Sequence, residues 1–351
     1  MKKGMICVMA VLLGAAMLFA GCSSGGDSGN AAAPAAQGET SAEQESVPAV
    51  QGATTIGKVG ICMREQKNPF YKVMNDVLVN LCKEKGYEAA TTDANGDIQT
   101  QIGDFENLMT QGCDVIILNA ADPDSFIDVV TRAREQGIIV IAVDNALNTD
   151  TPVNATVLTN NEGNGIEVGK WLVEQIGDEP IKAVVMSGEI GNIIGEDRRQ
   201  GTFRGITEAQ LAKYGKTDFE VVYQLYFDGW QSDVAQRKFE DVAVSTQDFN
   251  CIISESDVAT MYCYETLQAM NLPHKVWLIS AADGEKNVLK AIQDGQYDAT
   301  GMNSPTMLGE KAIEVAEKIA NGEAVAQTTY TDATCVTQEN VDQYYDPDAL
   351  F

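Results

Sequence analysis

From residue 56 onward the chain alternates short, wholly apolar runs with longer amphipathic stretches, and few architectures accept that pattern. Runs such as VIIL at 115–118 and IIVIAV at 138–143 are apolar at every position rather than at every second one. Such strands need cover on both faces, which a parallel sheet flanked by helices provides. The segments 58–63, 87–92, 114–119, 138–143, 182–187, 219–224, 251–254 and 276–281 read as strands. Helical spacing of apolar residues fills the intervals: 69–81, 99–111, 124–136, 162–176, 196–213, 231–244, 257–270, 284–294 and 306–320. Strand–helix alternation of this kind argues a parallel α/β architecture. It is too long for one five-stranded sheet, so two doubly wound lobes are expected.

The amino terminus reads differently. Lys2 and Lys3 precede an apolar run, Met5 to Ala20, that is short for a spanning helix and ends in small residues. The run closes Leu18-Phe19-Ala20-Gly21-Cys22. This resembles the lipobox of bacterial lipoproteins, with Phe19 in place of the usual aliphatic residue. The reading makes 1–21 a signal peptide and Cys22 a lipid attachment point, with an ordinary signal peptide as the alternative. Residues 23–54 are Ser, Gly, Ala, Gln, Glu and Pro with no Lys, Arg or aromatic residue. Such composition cannot bury enough apolar surface to offset ordering entropy, so 22–56 is expected to be a flexible tether.

Charge and histidine count exclude several functions. The formal charge is −27, which disfavours nucleic acid, since phosphate binding needs a basic surface. His274 is the one histidine, which argues against a histidine-rich metal site and against triad hydrolysis. After Cys7 and Cys22, six cysteines remain and none forms a CxxC pair. Five of them sit in or beside apolar patterns and read as small buried hydrophobes, although export also permits disulfides. Asp93-Ala94-Asn95-Gly96-Asp97 looks like the start of a calcium loop, but it lacks Gly at the sixth position and Glu at the twelfth. A turn followed by an N-cap is the preferred reading, and no metal is expected. Gly188, Gly191 and Gly195 follow a strand, but GxxGxxxG is not the dinucleotide fingerprint GxGxxG, and no Walker sequence occurs. No cofactor and no catalytic residue are assigned.

In doubly wound sheets, ligands bind beyond the carboxyl ends of strands. There the chain carries Asn68, Phe70 and Tyr71 after the first strand, Asn119 after the third and Asp144 after the fourth. Later loops add Asn192 and Arg198, then Trp230, Ser256, Asp257, Asp283 and Asn303. Rings can cover the apolar C–H faces of a sugar, carboxylates and amides can each engage two hydroxyls, and arginine offers a planar fork of donors. Each residue also has a structural reading: Asn68 as an N-cap, Phe70 as core, Asp144 and Asp283 as turn residues, Arg198 as an exposed cation, Trp230 as packing between lobes. Trp171 and Trp277 fall within helix and strand patterns and read as structural.

These segments resemble the periplasmic sugar-binding proteins of the ribose- and galactose/glucose-binding group, over about 57–345. Asn68-Pro69-Phe70-Tyr71 is similar to that family's first loop, and Asp144 to its strand-four aspartate. Ser187-Gly188-Glu189-Ile190-Gly191 with Arg198 resembles the segment ending in a sugar-binding arginine. Trp230, in a W-x-x-x-x-A-x-x-K setting, resembles a stacking tryptophan. Ser256-Asp257, Asp283 and Asn303 fall where the family places polar ligands. Asn192, Ile194 and Ser256 depart from the glucose-binding pattern, and Gly177-Asp178-Glu179-Pro180 is too short for that group's calcium loop.

The resemblance implies a type I periplasmic binding protein fold: two parallel-sheet lobes joined by a three-strand hinge. The crossings would lie near Thr159, Ser304 and Ala333, giving lobes of 57–158 plus 304–332 and 159–303 plus 333–351. Together with the lipobox reading of Cys22, it further implies a monomer, anchored to the membrane only by lipid, that binds a small neutral sugar or polyol and serves an ABC importer permease. A sensor for a membrane kinase is the second reading and an exported enzyme the third. An open cleft would hydrate Arg198, Asp283 and Trp230, so truncating them should hardly lower the stability of the ligand-free protein.

Overall fold

Asn68 and Pro69 start the first long helix by the usual chemistry: the Asn68 side chain accepts the Phe70 N–H at 2.9 Å, and proline occupies the first turn, where no N–H is needed. In the computed structural model, which describes residues 54–351 together with Ser46–Val47, side-chain caps of this kind start six of the ten described α-helices. The proposed signal peptide and Cys22 lie outside the described residues. The two-residue strand β1 (Ser46–Val47) falls inside the stretch read as a tether, and it pairs antiparallel with β12 (Val325–Ala326).

The first sheet contains β2 (Lys58–Met63), β3 (Glu88–Asp93), β4 (Val115–Asn119), β5 (Ile139–Val143), β6 (Ala155–Leu158) and β13 (Thr328–Tyr330). Its order is β13-β6-β5-β4-β2-β3, parallel throughout. Helices α1 (Pro69–Lys85), α2 (Ile98–Thr110), α3 (Ile127–Glu135) and α10 (Pro305–Ala320) cover it. Successive residues of β4 feed opposite cores: Val115 and Ile117 pack with α1 and α10, Ile116 and Leu118 with α2 and α3. This two-sided burial is the physical reason the strand is apolar at every position.

The second sheet contains β7 (Ile181–Ser187), β8 (Phe219–Tyr226), β9 (Cys251–Ser254), β10 (Trp277–Ser280), β11 (Ala299–Thr300) and β14 (Val336–Thr337). Its order is β14-β11-β10-β9-β7-β8, and only β14 runs antiparallel. Around it lie α4 (Asn161–Ile176), α5 (Ile193–Tyr214), α6 (Ser232–Ser245), α7 (Asp257–Met261), α8 (Cys263–Met270) and α9 (Lys286–Gln293). The chain passes between the sheets three times: after β6, between β11 and β13, and between β13 and β14. The α/β class with two doubly wound, largely parallel lobes agrees with the reading from strand pattern.

Several details differ from the sequence reading. The helix expected over 257–270 is two, α7 and α8, meeting at Tyr262. Strands β6, β11, β13 and β14 were not expected, because segments of two to four residues carry too little periodicity to be seen. The Asp93–Asp97 loop is a turn and a cap: Asp93 accepts the Asn95 N–H at 2.9 Å, and Asp97 accepts the Thr100 N–H at 2.7 Å. All six cysteines of the described residues are free thiols, five of them buried. Burial pushes the Cys62 thiol up to about 12.

Candidate functional site

Parallel register brings the strand ends level. Met63 lies beside Asn119 in the first sheet; Met186, Ser254, Ser280 and Thr300 line up in the second. The loops beyond them enclose a cleft of roughly 400 Å³. Nine of the twelve nominated residues line it: Asn68, Phe70, Tyr71, Asp144, Asn192, Arg198, Trp230, Asp283 and Asn303. Asn119, Ser256 and Asp257 do not. Asn145, Ile194, Glu285 and Phe351 also line it and were not nominated.

Rings form the walls. Phe70 is 8% exposed, belongs to the core of the first lobe and also lines the cleft. Tyr71 and Phe351 meet Phe70 edge-on, with ring centroids 5.6 and 5.2 Å away. On the opposite side Trp230 stands on a short 3-10 turn, Asp228–Trp230, with φ of 58° and Gly229 at 72°. Phe227 supports its ring edge-on at 6.1 Å. Gly188 and Gly195 make room for the indole: a Cβ at 188 would stand 2.4 Å from its Cε3, and one at 195 would stand 3.0 Å from its Cη2. Two of the three glycines that superficially suggested a dinucleotide loop thus seat a tryptophan, and Gly191 instead takes a left-handed turn with φ of 82°.

Arg198 is the polar centre. Its Nε donates to Asn161 at 2.9 Å, one terminal nitrogen to the Glu255 carbonyl at 2.9 Å, and the other to Asp283 at 2.7 Å. It is only 4% exposed, so the expectation that it stays hydrated in an open cleft is wrong. Close packing of α4 on α5 puts it there. Added Cβ atoms at Gly165 and Gly169 would stand 2.5 Å from the Arg198 carbonyl oxygen and 2.8 Å from the Ile206 nitrogen. Only glycine lets the backbones approach so closely. Next to it, buried Glu255 pairs with Arg199 and accepts the Gly188 N–H at 2.9 Å, which ties the Trp230 seat to the same wall.

The three nominees outside the cleft lie behind it. Asn119 is fully buried and donates to Asp144 at 3.3 Å and to the Val143 carbonyl at 3.2 Å. Ser256 is an N-cap, accepting the Ala259 N–H at 3.4 Å. Asp257 accepts the Gly284 N–H at 2.7 Å and so holds the loop that carries Asp283. Their positions at strand ends are as expected; their side chains turn inward because caps and loop amides need partners there.

Asp144 has φ of 71°, a left-handed conformation that Asp tolerates better than most residues. Desolvation pushes its carboxyl up to about 6, against the opposing effects of the Asn119 hydrogen bond and Arg64. Asp283 caps a short cross-chain series in which Asn303 donates to it at 3.3 Å and Thr159 donates to Asn303 at 2.5 Å. Asn145 and Glu285 were findable, as each sits within two residues of a nominated aspartate on the same loop. Phe351 was not, since no local pattern ties it to Phe70.

Comparison with known proteins agrees with this fold. Residues 59–324 match the family model described as "Periplasmic binding protein domain". The chain is 24% identical to the ribose import binding protein of Bacillus subtilis (strain 168), over 80% of this chain and 87% of that one. It is 26% identical to the D-xylose-binding periplasmic protein of Escherichia coli (strain K12), over 78% of this chain and 81% of that one. A solved ABC transporter solute binding protein from Mycobacterium smegmatis, with bound glycerol, superposes with a TM-score of 0.62 at 27% identity, covering 84% of this chain and 99% of that one. The chain belongs to the periplasmic binding protein domain family, and it is an extracytoplasmic binding protein rather than an enzyme.

Proposed function

We propose that this protein is a lipid-anchored solute-binding component of an ABC importer, which takes up a small sugar or polyol in the interlobe cleft and delivers it to the permease. The cleft carries the reading: aromatic walls from both lobes, Phe70 with Tyr71 and Trp230, flank Arg198, Asp283, Asp144 and Asn303. Rings suit C–H faces, and the polar groups suit a rim of hydroxyls. The names of the relatives, which bind ribose and D-xylose, and the glycerol in the Mycobacterium smegmatis structure support the same class. In this reading the lobes are 57–158 plus 304–332 and 159–303 plus 333–351, and they close over the ligand about three connections. Cys22 carries the lipid, and the protein acts as a monomer without metal or cofactor.

A thermal-shift screen over pentoses, hexoses, deoxy sugars and polyols tests this. Saturation at about a hundredfold over the dissociation constant stabilises the folded state by ~2.7 kcal/mol. A melting temperature raised only by amino acids or peptides would overturn the sugar reading.

A further inference from the structure

The charge balance of the cleft is uneven. Three carboxylates, Asp144, Asp283 and Glu285, line it against one guanidinium, Arg198. Arg198 is already committed, since Asp283 and two other acceptors take its nitrogens. Among the described residues neither Asp144 nor Glu285 has a cation within salt-bridge distance. Asp144 has only the Asn119 amide at 3.3 Å, and Glu285, at the start of α9, makes no side-chain capping bond.

The other charges nearby do not remove the imbalance. Arg64 lies over the Tyr71 ring, 5.4 Å from its centroid, and acts on Asp144 only at a distance. Lys286 is turned away to the Ala349 carbonyl. Asp257, buried behind the wall, adds a further carboxyl on the acidic side. Burial and the charge of Asp283 push the Glu285 carboxyl up, and burial does the same to Asp144. Both therefore sit in a place that disfavours anions, and closing the lobes would worsen it.

We propose that the ligand of this cleft carries a protonated amine beside its hydroxyls, as an amino sugar or amino polyol does. The inference rests on the sugar-or-polyol reading and narrows it. An ammonium supplies three donors and a positive charge to Asp144 and Glu285, where a hydroxyl supplies one donor and no charge. The Trp230 ring, which lines the cleft, suits a cation further.

Titration calorimetry of the full chain near neutral pH would compare matched twins: glucosamine with glucose, galactosamine with galactose, and glucamine with sorbitol. N-acetylglucosamine serves as the uncharged amide control. The expected result is at least one amine binding roughly tenfold or more tightly than its hydroxyl twin. That advantage should vanish on N-acetylation and shrink in both Glu285→Gln and Asp144→Asn. Hydroxyl twins binding as tightly as the amines would overturn this inference and leave the sugar reading standing. A preference that survived both substitutions would also overturn it. Absence of binding by any sugar or polyol, charged or neutral, would overturn both readings.

Discussion

Arg198 and Asp283 meet at 2.7 Å in the wall of the cleft, tying α5 to the loop after β10. The arginine side chain is 5% exposed and the aspartate 24%. Removing one partner leaves the other partly desolvated without its counter-charge. Arg198→Ala should therefore lower the stability of the ligand-free protein by about 2–3 kcal/mol, somewhat less than for a fully buried pair because Asp283 keeps some water. It should abolish ligand binding as well. Chemical denaturation of the ligand-free variant checks the first point, and an unchanged midpoint would mean the pair contributes nothing to the fold.

Gly188→Ala should mimic Trp230→Ala. The added methyl would occupy the indole's seat, so the ring must leave its place over the cleft. Both variants should lose affinity by about 1–3 kcal/mol, the worth of a displaced aromatic face. Because the glycine acts only through the ring, the double variant should bind no worse than Trp230→Ala alone. Additive losses in that cycle would show that Gly188 has another role.

Asp144 sets a pH dependence of stability. Its carboxyl is raised to about 6 in the folded protein, whereas an unfolded aspartate titrates near its ordinary value of 3.8. Between those values the folded state holds more protons than the unfolded state. Stability should therefore fall as pH rises from about 4 to about 6, by at most ~3 kcal/mol. Asp144→Asn should remove that part of the slope. Denaturation midpoints measured across the window in both proteins decide it, and parallel profiles would refute the assignment.

The anchor is checked by metabolic labelling with a fatty acid. Wild-type protein should incorporate the label and Cys22→Ala should not. Equal incorporation would exclude Cys22 as the attachment site.

Closure of the lobes should appear in small-angle scattering as a smaller radius of gyration at saturating ligand. The three crossings between the sheets are short enough to act as a hinge. An unchanged radius would count against closure.

Asn68 and Trp230 mark the division between what sequence and tertiary structure each determine. Asn68-Pro69 specifies a helix start by local hydrogen bonding, and the two-sided burial of VIIL specifies a parallel sheet, whatever else the chain does. Those interactions lie within a few residues or within one periodic pattern, so the α/β class and the strand-end location of the cleft can be read directly. The sequence also carried nine of the cleft residues, through their places after strands.

It could not distinguish Asp283, which faces the cleft, from Asp257, which turns inward to hold the Gly284 amide. Nor could it bring Phe351 to Phe70, or bury Arg198 between Asn161 and Asp283. Those outcomes depend on which backbone amides and which rings arrive from distant segments. Only assembly of the two sheets, with glycine-lined helices in close approach, decides whether a strand-end polar residue meets the ligand space or satisfies the scaffold.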